Sequence, residues 1–200
     1  MKLYFAHTSP YARKARICVE ELGLQDQVEQ VFSNPFEEAK DLRAANPLGK
    51  VPALITDQGT AIYDSPVICA WLASLSNKAT LIPDGDARWG VLTREAMADG
   101  ILDSAYAIVM ERRRPDPEQS EMWKARWQDG IARATAHANS IITDFEGPID
   151  LGQIALAAAL GYLDFRLPDI DWRSDNPALA NWFADFENRP SMELTAPPAG

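Results

Sequence analysis

Residues Asn46–Pro66 read NPLGKVPALITDQGTAIYDSP, and turn signals cut this stretch into a β-hairpin followed by a helix. Asn46-Pro47-Leu48-Gly49-Lys50 sets two turn formers side by side and reads as a loop. Ala53–Thr56 and Thr60–Asp64 are strand-like runs separated by Asp57-Gln58-Gly59, a short loop containing glycine, which predicts a hairpin. Ser65-Pro66 then opens a helix over Pro66–Leu75, because serine is a favoured N-cap and proline suits the first helical position.

Upstream, Lys2–Ala6 predicts a strand and Pro10–Leu24 a helix, with Tyr11, Ala15, Cys18 and Leu22 at helical spacing and Gly23 near its end. Val28–Phe32 gives a second strand, and Phe36–Ala45 a helical stretch. The order βαβαββα is that of an α/β unit over residues 1–76. Residues 77–87 lack periodicity and read as a linker. Residues 88–200 carry helical signals only. Arg88 to about Arg114 predicts one long helix, which Pro115-Asp116-Pro117 breaks. The next carries Trp123, Trp127, Ile131, Ala134, Ala138, Ile141 and Phe145 on one stripe, read as core. The segment from Asp150 is apolar on nearly every side and predicts the central helix of a bundle. Asp150 and Gln153 are spaced as a capping box, with Ile149 and Ile154 at the staple positions. A last helix is expected around Pro177–Glu187, and an unstructured tail over Thr195–Gly200.

Composition narrows the function. The net charge is −10, and residues 76–200 hold twelve Lys/Arg against twenty Asp/Glu. Such a field repels phosphate backbones, so nucleic acid is not expected as a partner. The apolar stretch Ile154–Leu163 is far shorter than the roughly 20 residues of a membrane span, and the opening residues lack the features of a signal peptide. No membrane association and a cytoplasmic location are expected. Cys18 and Cys69 lie in apolar helical patterns and read as small buried hydrophobes. His7 and His137 are in no ligand spacing, so no metal site is expected.

Chemistry is suggested by placement. Ser9-Pro10 and Ser65-Pro66 each stand directly after a predicted strand, where a helix N-terminus is a ready anion site. Taken singly, each pair is ordinary helix punctuation. Between them, Val51-Pro52 enters a strand; a cis bond there leaves the Val51 main chain free for an extended peptide, and a tight turn is the alternative reading.

With these motifs, and with Arg189-Pro190-Ser191, the chain resembles the glutathione S-transferase family over its whole length. The resemblance implies a thioredoxin-like N-terminal domain, an all-α C-terminal bundle and a homodimer. It implies that Ser9 faces the glutathione sulfur, with Thr8 as a competing donor. It further implies that the Val51 backbone bonds the cysteinyl part, that Asp64 takes the γ-glutamyl amine and Ser65 its carboxylate, and that Lys50 meets the glycyl carboxylate. The implied activity is a transferase, of the kind used in detoxification, that activates glutathione as co-substrate, without a further cofactor, for attack on a small hydrophobic electrophile.

Serine at position 9 cannot form the mixed disulfide that cysteine would, which favours conjugation over disulfide reduction. The second substrate is expected between Tyr11 and the helical domain, with Tyr106, Arg112–Arg114, Tyr162 and Phe165 as candidates. Gln153 departs from the family pattern, where aspartate is usual. The alternative to an enzyme is a glutathione-binding or protein-interaction scaffold of the same fold.

Overall fold

The computed structural model describes residues 1–37 and 39–198. Its α/β part comprises β1 (Lys2–Phe5), α1 (Pro10–Glu21), β2 (Glu29–Phe32), α2 (Lys40–Ala45), β3 (Ala53–Ile55), β4 (Ala61–Ile62) and α3 (Ser65–Ala73), in the predicted order. The strands line up as β2-β1-β3-β4, with β1 parallel to β2 and antiparallel to β3, and β3 antiparallel to β4. Gly23 explains where α1 stops. Its φ of +67° suits a residue without a side chain, and Leu24 N–H bonds Val19 O at 2.9 Å while Gly23 N–H bonds Glu20 O at 3.1 Å, the paired bonds of a Schellman cap.

The rest is helical: α4 (Ala87–Glu111), α5 (Glu121–Ser140), α6 (Leu151–Arg166), α7 (Pro177–Phe186) and α8 (Pro190–Leu194), with 3-10 turns at Asp116–Glu118 and Ile142–Phe145. Every residue of α6 from Leu151 to Leu160 is buried, as its all-round apolar sequence requires. No helix among the described residues is long and apolar enough to cross a membrane. The connection between the two parts is pinned at both ends. Ser76 Oγ donates to Leu22 O at 2.8 Å, and Leu151 N–H donates to the carbonyl of the fully buried Leu81 at 2.8 Å.

Five expectations need correction. The helix predicted over Phe36–Ala45 begins only at Lys40, because Asn34 Oδ1 accepts from Phe36 N–H and folds the preceding residues into a turn; Glu38 lies outside the described residues. The stripe predicted on one helix is split, α5 carrying it only to Ala138 and the 3-10 turn carrying Phe145; it is core only from its middle onward, since Trp123 is 46% exposed and stacks on Trp127, while Ile131 and Phe145 are buried. The capping box is half made. Asp150 Oδ1 accepts from Gln153 N–H at 2.9 Å, but the Gln153 amide donates to Pro148 O and does not return to Asp150. Arg189-Pro190-Ser191 opens the further helix α8. Its last turn buries Thr195, so the tail is anchored at its start; Ala199 and Gly200 lie outside the described residues.

One apolar cluster runs through both parts, joining Leu3, Ile17 and Leu72 to Leu102, Ile154 and Leu160. A buried cation crosses the same boundary. Lys14 of α1 is wholly inaccessible, and its Nζ lies 3.0 Å from Glu95 Oε1 and 2.7 Å from Asp99 on α4. Burial works to lower the Lys14 pKa, but Cys69, Asp99 and Glu95 raise it further, so the ammonium stays charged. Removing one member of a buried ion pair strands the other's charge. Lys14→Met should therefore cost about 3–5 kcal/mol in denaturant unfolding. Adding Glu95→Gln and Asp99→Asn to that variant should recover part of the loss.

Candidate functional site

A cavity of about 530 Å³ opens between the α/β part and the helical part. Its floor is built from chain ends and helix starts. Ser9 is the N-cap of α1, with extended backbone, and its Oγ accepts from Ala12 N–H at 3.2 Å. Because that bond uses a lone pair, the Ser9 proton is available to a group in the cavity. Thr8 beside it lines the cavity and is exposed.

The loop before β3 is shaped by Asn46, which is buried. Its side-chain amide donates to Lys50 O at 2.9 Å, and its Oδ1 accepts from Leu48 N–H at 3.0 Å. Gly49 takes a φ of +63° at the turn, where a side chain would be strained. Lys50 and Val51 reach the cavity from this loop. The Val51-Pro52 bond is cis, as is Tyr63-Asp64. Neither the amide nor the carbonyl of Val51 has a hydrogen-bond partner among the described residues. The reading of Ser65 as N-cap needs correction: Asp64 stands at the N-cap position of α3 without a side-chain capping bond, and Ser65, one residue later, is buried at the first helical position. The start of α3 thus keeps its donors for something else.

The helical wall comes from α4 and α6. Tyr11 Oη donates to Asp103 Oδ1 at 2.5 Å, and the Tyr11 and Tyr106 rings meet edge-on with centroids 6.4 Å apart. Burial first, then the hydrogen bond to Asp103 and the charges of Asp103 and Asp99, lift the Tyr11 hydroxyl above the usual phenol range. Tyr162 of α6 is buried, and burial pushes its hydroxyl up to about 12 while Arg166 and Arg113 pull the other way. Charges are therefore segregated, with acidic groups around Tyr11 and basic groups around Tyr162.

Ser9, Tyr11, Lys50, Val51, Asp64, Ser65, Tyr106 and Tyr162 all line this one cavity. Arg112 does not. It bonds both carboxylate oxygens of Asp169, at 2.9 and 2.7 Å, and the cavity arginine is its neighbour Arg113. Phe165 is also outside the lining, underneath the Arg166 guanidinium. Sequence reasoning missed Asp103, Met110 and Arg166, together with Phe36 on the loop after β2. A signal for part of this set exists. Glu95, Asp99, Asp103, Tyr106 and Met110 follow one another along α4 at steps of four and three, so they form one stripe that begins in the buried ion cluster and ends at the cavity, with Arg113 in the turn just past the helix end.

A family model for the glutathione S-transferase N-terminal domain matches residues 8–75, and one for the glutathione S-transferase C-terminal domain matches residues 121–185. The uncharacterized GST-like protein YibF of Escherichia coli (strain K12) is 33% identical over 202 residues, covering 99% of both chains. A glutathione transferase family member from Pseudomonas fluorescens Pf-5, solved with bound glutathione, is 40% identical over 99% of each chain with a TM-score of 0.95. Its structure with bound S-(propanoic acid)-glutathione superposes with a TM-score of 0.92 at 39% identity over the full length of both. A glutathione S-transferase from Methylobacillus flagellatus KT with GSH bound is 34% identical over 98% of this chain and 99% of that one, with a TM-score of 0.93.

The Tyr11 environment can be checked directly. Since its hydroxyl stays protonated well past the ordinary phenol range, Tyr11→Phe should leave the tyrosinate absorbance gained on titration to about pH 11 unchanged. A variant that loses one tyrosine's share of that absorbance would show that burial and Asp103 together do not hold the proton in place.

Proposed function

The chain belongs to the glutathione S-transferase family, and we propose that it activates the thiol of glutathione for attack on a small hydrophobic electrophile. The observation that carries this reading is the convergence of Ser9, Val51, Asp64 and Ser65 on one cavity, each with hydrogen-bonding capacity to spare. In this reading the Val51 main chain pairs with the cysteinyl residue, and Ser65 with the donors at the start of α3 takes the γ-glutamyl carboxylate. Asp64 takes the γ-glutamyl amine. Asp64 is near enough to act electrostatically on Glu95 and Asp99, and with Lys14 offsetting only part of that charge an ammonium placed there is favoured. Lys50 is the partner for the glycyl carboxylate.

The chemistry follows from Ser9. A free thiol with a pKa of about 8.5 is mostly protonated at neutral pH. The Ser9 hydroxyl donating to sulfur, and the positive end of α1, both favour the thiolate. The thiolate's electron pair then forms the carbon–sulfur bond. Ser9 acts as a donor and forms no covalent bond. His7, which is exposed and stacked on Phe32, has no hydrogen bond to it among the described residues. The relative from Pseudomonas fluorescens Pf-5 holds S-(propanoic acid)-glutathione, which supports room beyond the sulfur for a substituent. We assign residues 1–76 to glutathione, residues 88–200 to the second-substrate side and residues 77–87 to the link between them. The protein is read as a cytoplasmic homodimer with glutathione as co-substrate and no resident cofactor.

Titration calorimetry should show glutathione binding, with Asp64→Asn weakening it. Ser9→Ala should lower kcat/KM for conjugation about 10- to 100-fold, the loss expected for a hydrogen bond to a charged group. The same variant should raise the thiol pKa of bound glutathione, read from thiolate absorbance, by about one unit or more. Unchanged turnover in Ser9→Ala would remove Ser9 from the mechanism. Binding with no turnover on a broad electrophile panel would leave a glutathione-binding scaffold.

A further inference from the structure

We infer that the second substrate carries a carboxylate, held by the guanidiniums of Arg113 and Arg166 beside the Tyr162 hydroxyl. The inference rests on the glutathione-conjugating reading above and names the class of electrophile that this site selects.

Three consecutive arginines close α4, and the structure gives them different work. Arg112 is bound to Asp169 through two hydrogen bonds. Arg114 pairs with Glu118 at 3.4 Å and lies 3.9 Å from Glu111. Arg113 has no carboxylate within ion-pair distance among the described residues; its guanidinium carbon lies 5.7 Å from the centre of the Phe36 ring, at the cavity wall. Arg166, the last residue of α6, lines the same cavity with its guanidinium 4.2 Å over Phe165, and it too lacks a carboxylate partner among the described residues. Both cations act on the Tyr162 hydroxyl, whereas the acidic groups gather around Tyr11.

The cavity therefore offers two guanidiniums, planar donors without carboxylate partners among the described residues, together with apolar wall supplied by Phe36, Leu48 and Met110. Guanidinium forks match carboxylates in shape and charge better than any other side chain does. A purely apolar electrophile would leave both forks facing only water or ring faces. Cations at the C-terminal ends of helices also interact well with the helix dipole. That purely structural role predicts no preference among ligands.

The test uses two matched aryl chlorides, each with chlorine ortho to a nitro group and para to the variable group, which is a carboxylate in one and a carboxamide in the other. In each reaction the sulfur pair forms the carbon–sulfur bond, the carbon–chlorine bond breaks with its pair to release chloride, and the thiol proton passes to solvent. The primary measurement is calorimetric affinity for the two S-aryl glutathione conjugates, which needs no turnover. The carboxylate conjugate should bind about tenfold more tightly than the carboxamide, and rates relative to the uncatalysed reactions should follow the same order. In the double variant Arg113→Gln/Arg166→Gln that ratio should fall to near one, with carboxamide binding reporting that the variant is folded. Equal affinities in the parent protein, or a ratio that survives in the double variant, overturn the inference. So does a loss of affinity for glutathione itself as large as the loss for the carboxylate conjugate, which would assign the arginines to the glycyl carboxylate. Failure of glutathione to bind at millimolar concentration overturns the proposed function and this inference with it. Glutathione binding with equal conjugate affinities overturns the inference alone.

Discussion

Lys14 is the fixed point of this molecule. A wholly buried ammonium is tolerable only where carboxylates meet it, and Glu95 and Asp99 do so from across the boundary between the α/β part and the helical part. α1 packs on α3 and α6, and this ion cluster ties its side chains across to α4. Tyr11 is one turn before Lys14, and Asp103 is one turn after Asp99, so the same alignment brings Tyr11 Oη onto Asp103. The N-terminus of α1, with Ser9 as its cap, is thereby held against the wall that the helical part supplies.

The arrangement has an electrostatic consequence. Lys14 answers two carboxylates, while Asp64 and Asp103 add further negative charge nearby, so the region around Tyr11 and the start of α3 is acidic. The same cavity is lined by Arg113, Arg166 and the buried Tyr162, whose hydroxyl the two guanidiniums pull toward lower pKa. The apolar cluster shared by both parts keeps the two sides from sliding, because core side chains have discrete packings and resist small shifts.

Much of this was legible in the sequence. Hairpin strands separated by Asp57-Gln58-Gly59, the Ser9-Pro10 and Ser65-Pro66 helix starts, Gly23 after α1 and the all-round apolar α6 are each written within a few residues. Their physics is local: turn conformations, capping bonds and the facing of neighbouring turns act over three or four positions. The half-made capping box at Asp150 shows where that reach ends. Spacing placed Gln153 correctly, but the competing acceptor Pro148 O and the Arg94–Asp150 ion pair belong to the folded surroundings. Likewise the apolar stripe of α5 was visible, while its exposed start at Trp123 depends on how little of the neighbouring chain covers that turn.

By itself, then, the sequence determined the elements, their order and the family resemblance, because helix and strand periodicity, caps and turns are short-range properties of the chain. Only the tertiary structure decided that Arg113 and not Arg112 faces the cavity, that Asp103 and Arg166 join it, and that Lys14 is the buried cation on which the two parts meet. Arg112 and Arg113 stand in the turn that ends α4, so the identity of the cavity arginine is set by the phase in which that turn meets Asp169, just past α6. That phase is fixed by packing between segments more than fifty residues apart.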